Sequence, residues 1–335
     1  MYNQVDNLLV LRGIASFTVV LNHLLGLSPI KLYVPYGFHM VWLFFFLSAY
    51  LLTKGFLSGK FTHKKEFYMS RAKRLLPTFY VVQILVIILA ISGIAPQEYF
   101  STVDLFKRLV REGSVLLLAP WTPYILASGS WNSVIWSVVV EIHFILLLPA
   151  IVWMSIRKFM ILFLIWIVLI AALYLIGIEI WNRHYEAHYY NAGFFIAGIL
   201  TAKIKQKNSF NVIPSKFAIF MLLFVIVLID IFAHFDLQLI LSIAPIPLAF
   251  CLVVLFLFIN TNYQRPLPRR LKDFINGFGF VKTFELLGAI SYSLYLSHKF
   301  FGITLIYYTN FFIGFALMLT ISILLYLMVE IRIRF

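Results

Sequence analysis

Arg12 and His23 stand eleven residues apart in a largely apolar run, Leu8 to Leu25, which reads LLVLRGIASFTVVLNHLL. An imidazole suits proton transfer near neutral pH, and a guanidinium suits the holding of anionic oxygens. At 3.6 residues per turn, eleven steps make about three turns plus ~20°, so a helix carries both side chains on one face. At ~1.5 Å per residue they lie ~16 Å apart along the axis, about half the hydrocarbon thickness of a bilayer. Putting either residue in lipid is costly, which makes the pair a functional-site candidate. Taken alone, it also fits two side chains that snorkel to opposite interfaces.

Further along, HKKEFYMSRAKRLLPTFY places Arg71 and Arg74 at i and i+3, on one face of any helix there, with Lys73 between them. Guanidinium forks beside an apolar span suit phosphate groups, and plain contact with lipid headgroups fits the same residues. In WNSVIWSVVVEIHFILLLP, Ser137, Glu141 and His143 follow Trp136. A carboxylate inside a span should face other helices and pair, as a structural ion pair or as a proton-handling group. The stretch LLGAISYSLYLSHKFFGI alternates Ser291, Ser293 and Ser297 with Tyr292 and Tyr295, ahead of His298 and Lys299. Hydrogen bonding between helices accounts for the serines and tyrosines. His184 and His188 stand at i and i+4 with Glu186 between them, but the ligand set is incomplete and no metal is expected. The single cysteine, Cys251, lies in an apolar run as a small buried hydrophobe and excludes an intrachain disulfide.

These residues need a scaffold, and composition names its class. The chain has 335 residues, of which 62% are hydrophobic and only 12% charged, with a mean hydropathy of +0.96. That is an all-α polytopic membrane protein. About ten spanning helices are expected, near residues 8–25, 38–58, 76–95, 133–154, 159–178, 189–203, 217–234, 239–260, 284–308 and 311–330. The first span lacks a basic region before it and a cleavage site after it, and reads as retained. The net charge of +14 does not point to nucleic acid, because the basic residues gather in short loops between apolar spans. One set of loops holds the 60–74, 157–158, 203–216, 265–282 and 332–334 clusters, against Lys31, Lys107, Arg108, Arg111 and Arg183 on the other. Both termini are therefore expected in the cytoplasm. The outer segment 96–132 contains a polar helix and a short apolar stretch broken by Pro120 and Pro123, which fits a re-entrant or interfacial element. No repeat and no appended soluble domain is evident, so residues 1–335 read as a single transmembrane domain.

The pieces LRGIASFTVVLNH, LFFFLSAYLL, YMSRAKRLLPTFY, WSVVVEIHFILLLP, FFIAGILTAK, AISYSLYLSHKFF and VEIRIRF occur in an order that resembles the acyltransferase-3 family of membrane acyltransferases. The likeness covers nearly the whole chain. Arg12 and His23 match the family's arginine–ten residues–histidine pattern, Arg71 and Arg74 its R-x-x-R motif, and Glu141 the acid of its W-S-L-S-V-E piece. The chain departs from that pattern at Trp42, where an acid is common, and at Ala49, where glycine is common. It also departs at Ile142 and His143 after the acid, and at Ser297, where an aromatic is common.

The resemblance implies O-acylation, with acyl-CoA (acetyl-CoA as co-substrate) the cytoplasmic donor and a hydroxyl of a cell-surface polysaccharide or lipid-linked saccharide the acceptor. His23, Arg12 and Glu141 would be catalytic, and Arg71, Arg74 and Lys73 would hold the donor. Ser137, His143, Tyr292 and His298 would line the acceptor side. The setting would be the bacterial inner membrane, with membrane lipids as neighbours. A transporter or flippase for an anionic or glycan substrate is the competing class, since intramembrane charges suit one. A sensor that keeps the fold without turnover is a third.

Overall fold

The computed structural model describes residues 7–27, 37–61, 63–94, 105–119, 131–175, 188–207, 245–258 and 280–334. All regular structure among them is helical: α1 (Asn7–Leu27), α2 (Gly37–Leu57), α3 (Lys64–Ile91), α4 (Leu105–Leu116), α5 (Ile135–Ile151), α6 (Ile156–Leu175), α7 (His188–Lys207), α8 (Pro245–Phe258), α9 (Phe280–Ala289), α10 (Ser291–Tyr308) and α11 (Phe311–Leu325). A π-helical turn, Tyr326–Ile331, prolongs α11. Among the described residues, five stretches are long and apolar enough to cross a membrane: Leu8–Gly26, His39–Leu57, Lys64–Ile91, Ile156–Leu173 and Phe311–Ile331. On α6, Leu164, Ile165 and Val168 are exposed, an arrangement that hydrocarbon solvates and water does not. The expected span at 217–234 lies outside the described residues.

Two compact units interleave along the chain. The first takes Met1–Met40, Arg71–Thr102 and Thr261–Phe335. In it α1 packs on α9 and α10, and α10 packs on α11. A Cβ at Gly13 would fall on the carbonyl oxygen of Phe284, and one at Gly288 on that of Leu9. Glycine at both positions lets the two backbones touch, as small residues do between membrane helices. These pairs run in opposite directions along α1 and α9. The pairs Arg12–Ser291 and Leu24–Gly302 run in the same direction along α1 and α10. The stretch 284–308, expected as one span, is thus two helices. The break falls at Ile290, whose φ of −88° and ψ of 4° leave the helical region. α10 and α11 form an antiparallel hairpin closed by Asn310, whose side chain accepts from the Ile313 N–H at 3.0 Å.

The second unit takes Val41–Ser70 and Val103–Asn260. α7 is its centre and packs on α5, α6 and α8. A Cβ at Gly198 would meet the Phe46 carbonyl of α2, so α2 also lies against α7. Trp42 stacks on Phe194 with 5.1 Å between ring centres, and Phe46 and Tyr50 meet Phe256 edge-on. The far end of α7 carries three long polar side chains that close other helices. Lys203 Nζ donates to the Val152 carbonyl at 2.7 Å, Lys205 Nζ to Phe256 at 3.0 Å and Gln206 Nε2 to Leu57 at 3.1 Å. Those oxygens belong to the C-terminal ends of α5, α8 and α2, where carbonyls lack a helical partner and the dipole favours cations. All four helices therefore end at one level.

The close approach of α1 and α9 gives a direct test. Gly13→Ala should destabilise the chain by about 1–3 kcal/mol, since overpacking a backbone contact forces a shift. Gly26→Ala on the same helix meets nothing within 4 Å and should leave stability unchanged. Thermal unfolding in detergent, followed by fluorescence-detected size exclusion, reads the difference.

Candidate active site

Three consecutive residues at the start of α10 each bind a different helix. Successive helical side chains point about 100° apart, so neighbours in sequence face different partners. Ser291 Oγ accepts from the Arg12 guanidinium of α1 at 3.2 Å. The Tyr292 hydroxyl donates to the Leu75 carbonyl of α3 at 2.8 Å. Ser293 donates both its backbone N–H, at 3.1 Å, and its hydroxyl to the Glu330 carboxylate in the π-helical turn. The N–H of Ser293 belongs to the first turn of a helix and has no partner within it. Ile290, at the cap position, supplies no side-chain bond. Glu330 takes that place from across the hairpin, and the positive end of the helix dipole favours its charge. The π-turn inserts the offset that aims Glu330 inward, and Glu330 is buried.

Two turns along α10, His298 is fully buried and meets His23. His23 Nδ1 lies 2.8 Å from His298 Nε2, and His298 Nδ1 lies 2.7 Å from the Tyr295 carbonyl oxygen. The ring centres are 5.1 Å apart with a tilt of 22°. With a nitrogen–nitrogen contact of 2.8 Å at that separation, the rings meet edge to edge. The span to be bridged is shorter than α1 alone suggests. Ser291 and His298 are seven residues apart, or ~10 Å along α10, and the long Arg12 side chain makes up the remainder.

The basic segment before the expected third span is itself helical, because α3 begins at Lys64 and continues through Pro77. Pro77 has no N–H, so the Lys73 carbonyl loses its usual helical donor. Arg71 and Arg74 are half-buried on one face and Lys73 is exposed. The Tyr292–Leu75 bond attaches the end of this basic turn to the same turn of α10 that engages Arg12. The structure thus gathers Arg12, His23, Tyr292, His298 and the α3 basic turn in the first unit.

The remaining sequence-identified residues belong to the second unit. Glu141 accepts from Ser48 Oγ at 2.6 Å. Ser137 is buried and donates to the Val134 carbonyl at 3.2 Å. His143 Nδ1 lies 2.8 Å from His188 Nε2, and His143 Nε2 lies 2.8 Å from the Leu118 carbonyl. Leu118 adopts a left-handed φ of 50°, a strained conformation for leucine, in presenting that oxygen. His184 and Glu186 lie outside the described residues, so the metal reading for that loop is left with His188. No group of three metal-ligating side chains occurs among the described residues.

Sequence reasoning missed Glu330, Ser291 as the partner of Arg12, and the pairing of His298 with His23. Glu330 carried a signal, as a lone acid at the end of an apolar span. The other two are contacts across more than 270 residues, which periodicity cannot reveal.

Glu330→Ala should cost about 2–4 kcal/mol, because a buried helix start loses its cap and Ser293 is left unsatisfied. Glu330→Gln keeps an acceptor oxygen and should cost less than half as much. Thermal unfolding of the two variants, compared with the wild type, checks the order.

No curated protein and no solved structure matches the chain. The family model described as an acyltransferase domain matches residues 5–329, which include the Arg12–His23 helix, the basic turn of α3 and the first turn of α10. With apolar helices fit to cross a bilayer, the chain belongs to the acyltransferase-3 family and is a membrane acyltransferase.

Proposed function

We propose that this protein transfers an acetyl group from cytoplasmic acetyl-CoA to a hydroxyl of a cell-surface glycan or lipid-linked saccharide. The observation that carries the reading is the gathering, along one helix, of a guanidinium, a basic turn and an imidazole. Arg12 and α3 are tied to the first turn of α10, and His23 meets the same helix two turns on. Ten crossings of a bacterial inner membrane, with both termini cytoplasmic, put Arg12 toward the donor and His23 toward the acceptor.

Arg71 and Arg74 hold the donor phosphates as charge-assisted forks, with Lys73 adding charge at the surface. Arg12 stabilises the oxygen of the thioester carbonyl as it gains negative charge. His23 takes the acceptor hydroxyl proton as general base. The hydroxyl oxygen bonds to the carbonyl carbon, the carbon–sulfur bond breaks, and the proton passes to the departing thiol. Glu141 is assigned to charge balance on the motif it completes. Ser137, His143 and Tyr292 are assigned to the acceptor side on the same basis. Direct transfer is favoured because the motifs supply no activated serine or cysteine nucleophile.

The test is release of free CoA thiol by purified protein given acetyl-CoA and a membrane glycan extract. Release that requires the extract supports the enzyme, and movement of glycan without release defeats it. In this assay His23→Ala should lower kcat by about 10²–10⁴-fold. Arg71→Ala with Arg74→Ala should raise the KM for acetyl-CoA about ten-fold or more and leave kcat within a few-fold, as befits two lost charge-assisted bonds. Unchanged KM would sink the phosphate assignment.

A further inference from the structure

We infer that His298 is a positioning residue that presets His23 as a general base, by passing on a tautomer fixed at the Tyr295 carbonyl. The inference rests on the proposed role of His23 and adds a residue and a mechanism to it.

The argument follows the protons. A carbonyl oxygen only accepts, so His298 Nδ1, 2.7 Å from the Tyr295 oxygen, carries a hydrogen. His298 is fully buried, and burying an unpaired charge there is costly, so the ring is neutral and its Nε2 keeps a bare lone pair. The contact of 2.8 Å between that Nε2 and His23 Nδ1 needs one proton, and only His23 can supply it. His23 is therefore an Nδ1–H tautomer, and its Nε2 is left with the lone pair. That nitrogen is the one that can take a hydroxyl proton, and no rearrangement precedes the step. When it does, positive charge appears on His23. The Nδ1–H bond to His298 then strengthens, and the Tyr295 carbonyl dipole lies at the far end of the same line. The logic is that of a base held in the correct tautomer by a third group. Here a backbone oxygen replaces a carboxylate, which suits an apolar interior because no second charge has to be buried. The edge-to-edge meeting of the rings is what the hydrogen bond requires, and stacking would not produce it.

Two measurements decide it. Solid-state NMR of the full chain in lipid bilayers, with ¹⁵N-labelled histidine, reads the tautomer without any acceptor. The signals lost in His23→Gln are expected to be those of an Nδ1–H ring with a bare Nε2. An Nε2–H ring, or an imidazolium, at His23 overturns the inference.

The thiol-release assay with acetyl-CoA and glycan extract gives the second reading. His298→Phe, which removes the acceptor, should lower kcat about 100-fold with the KM for acetyl-CoA within about two-fold. His298→Gln places a carbonyl oxygen near the lost Nε2 and should recover about ten-fold of that loss. Equal kcat for the Phe and Gln variants overturns the acceptor role. If His23→Ala is inactive while His298→Phe keeps full kcat, the inference falls and the general-base reading stands. If His23→Ala keeps its activity, the base assignment itself falls. Should His298→Phe fail to fold, the Gln variant and the NMR spectrum give the answer.

Discussion

A helix that begins inside an apolar bundle has N–H groups with nowhere to go. That requirement, set at the break after Ala289, organises the first unit. Ser293 is buried and the cap residue is isoleucine, so the partner comes from another segment, and Glu330 is that partner. The π-turn that aims it and the burial of a carboxylate both follow from this need. Once the first turn of α10 is pinned, Ser291 and Tyr292 are fixed as well, and through them Arg12 and the basic turn of α3. The chemistry assigned to the unit is held by a solution to a backbone problem.

The parallel course of α1 and α10 turns this into a scale. Both helices climb together from the Arg12 end to the His23 end, and α10 contributes a contact to each. Arginine reaches and histidine does not. A long flexible side chain bridges the mismatch at one end, and a rigid ring in direct contact sets the other. Chemical roles divide the same way. A charge that stabilises an oxygen tolerates some freedom of approach, whereas a proton acceptor needs its lone pair aimed.

Much of this was legible in the sequence, but unevenly. Arg12 and His23 share a face because 3.6-residue periodicity requires it, and Arg71 with Arg74 follows from the same rule. The apolar runs marked most helix positions within a few residues. Periodicity describes one helix at a time, however. It could not show that α3 starts twelve residues before its apolar part, because a basic amphiphilic turn and a loop have similar compositions. It could not show that residues 284–308 break at Ile290, since no proline or glycine stands at that position. Nor could it pair His23 with His298, Glu141 with Ser48, or Glu330 with Ser293. Such contacts depend on how helices are set side by side, and the clue to one of them, a lone acid in VEIRIRF, has meaning only once the break it serves is known.

The second unit carries a different consequence. Lys203, Lys205 and Gln206 fasten the ends of three helices to the end of a fourth. Helices joined at one level cannot slide past one another to suit a thicker or thinner bilayer. A mismatch between that unit and its lipid must be met by tilting the block as a whole or by deforming the bilayer around it. The four helices then respond to membrane thickness as one body, and a change in lipid composition reaches every residue on them through a common angle.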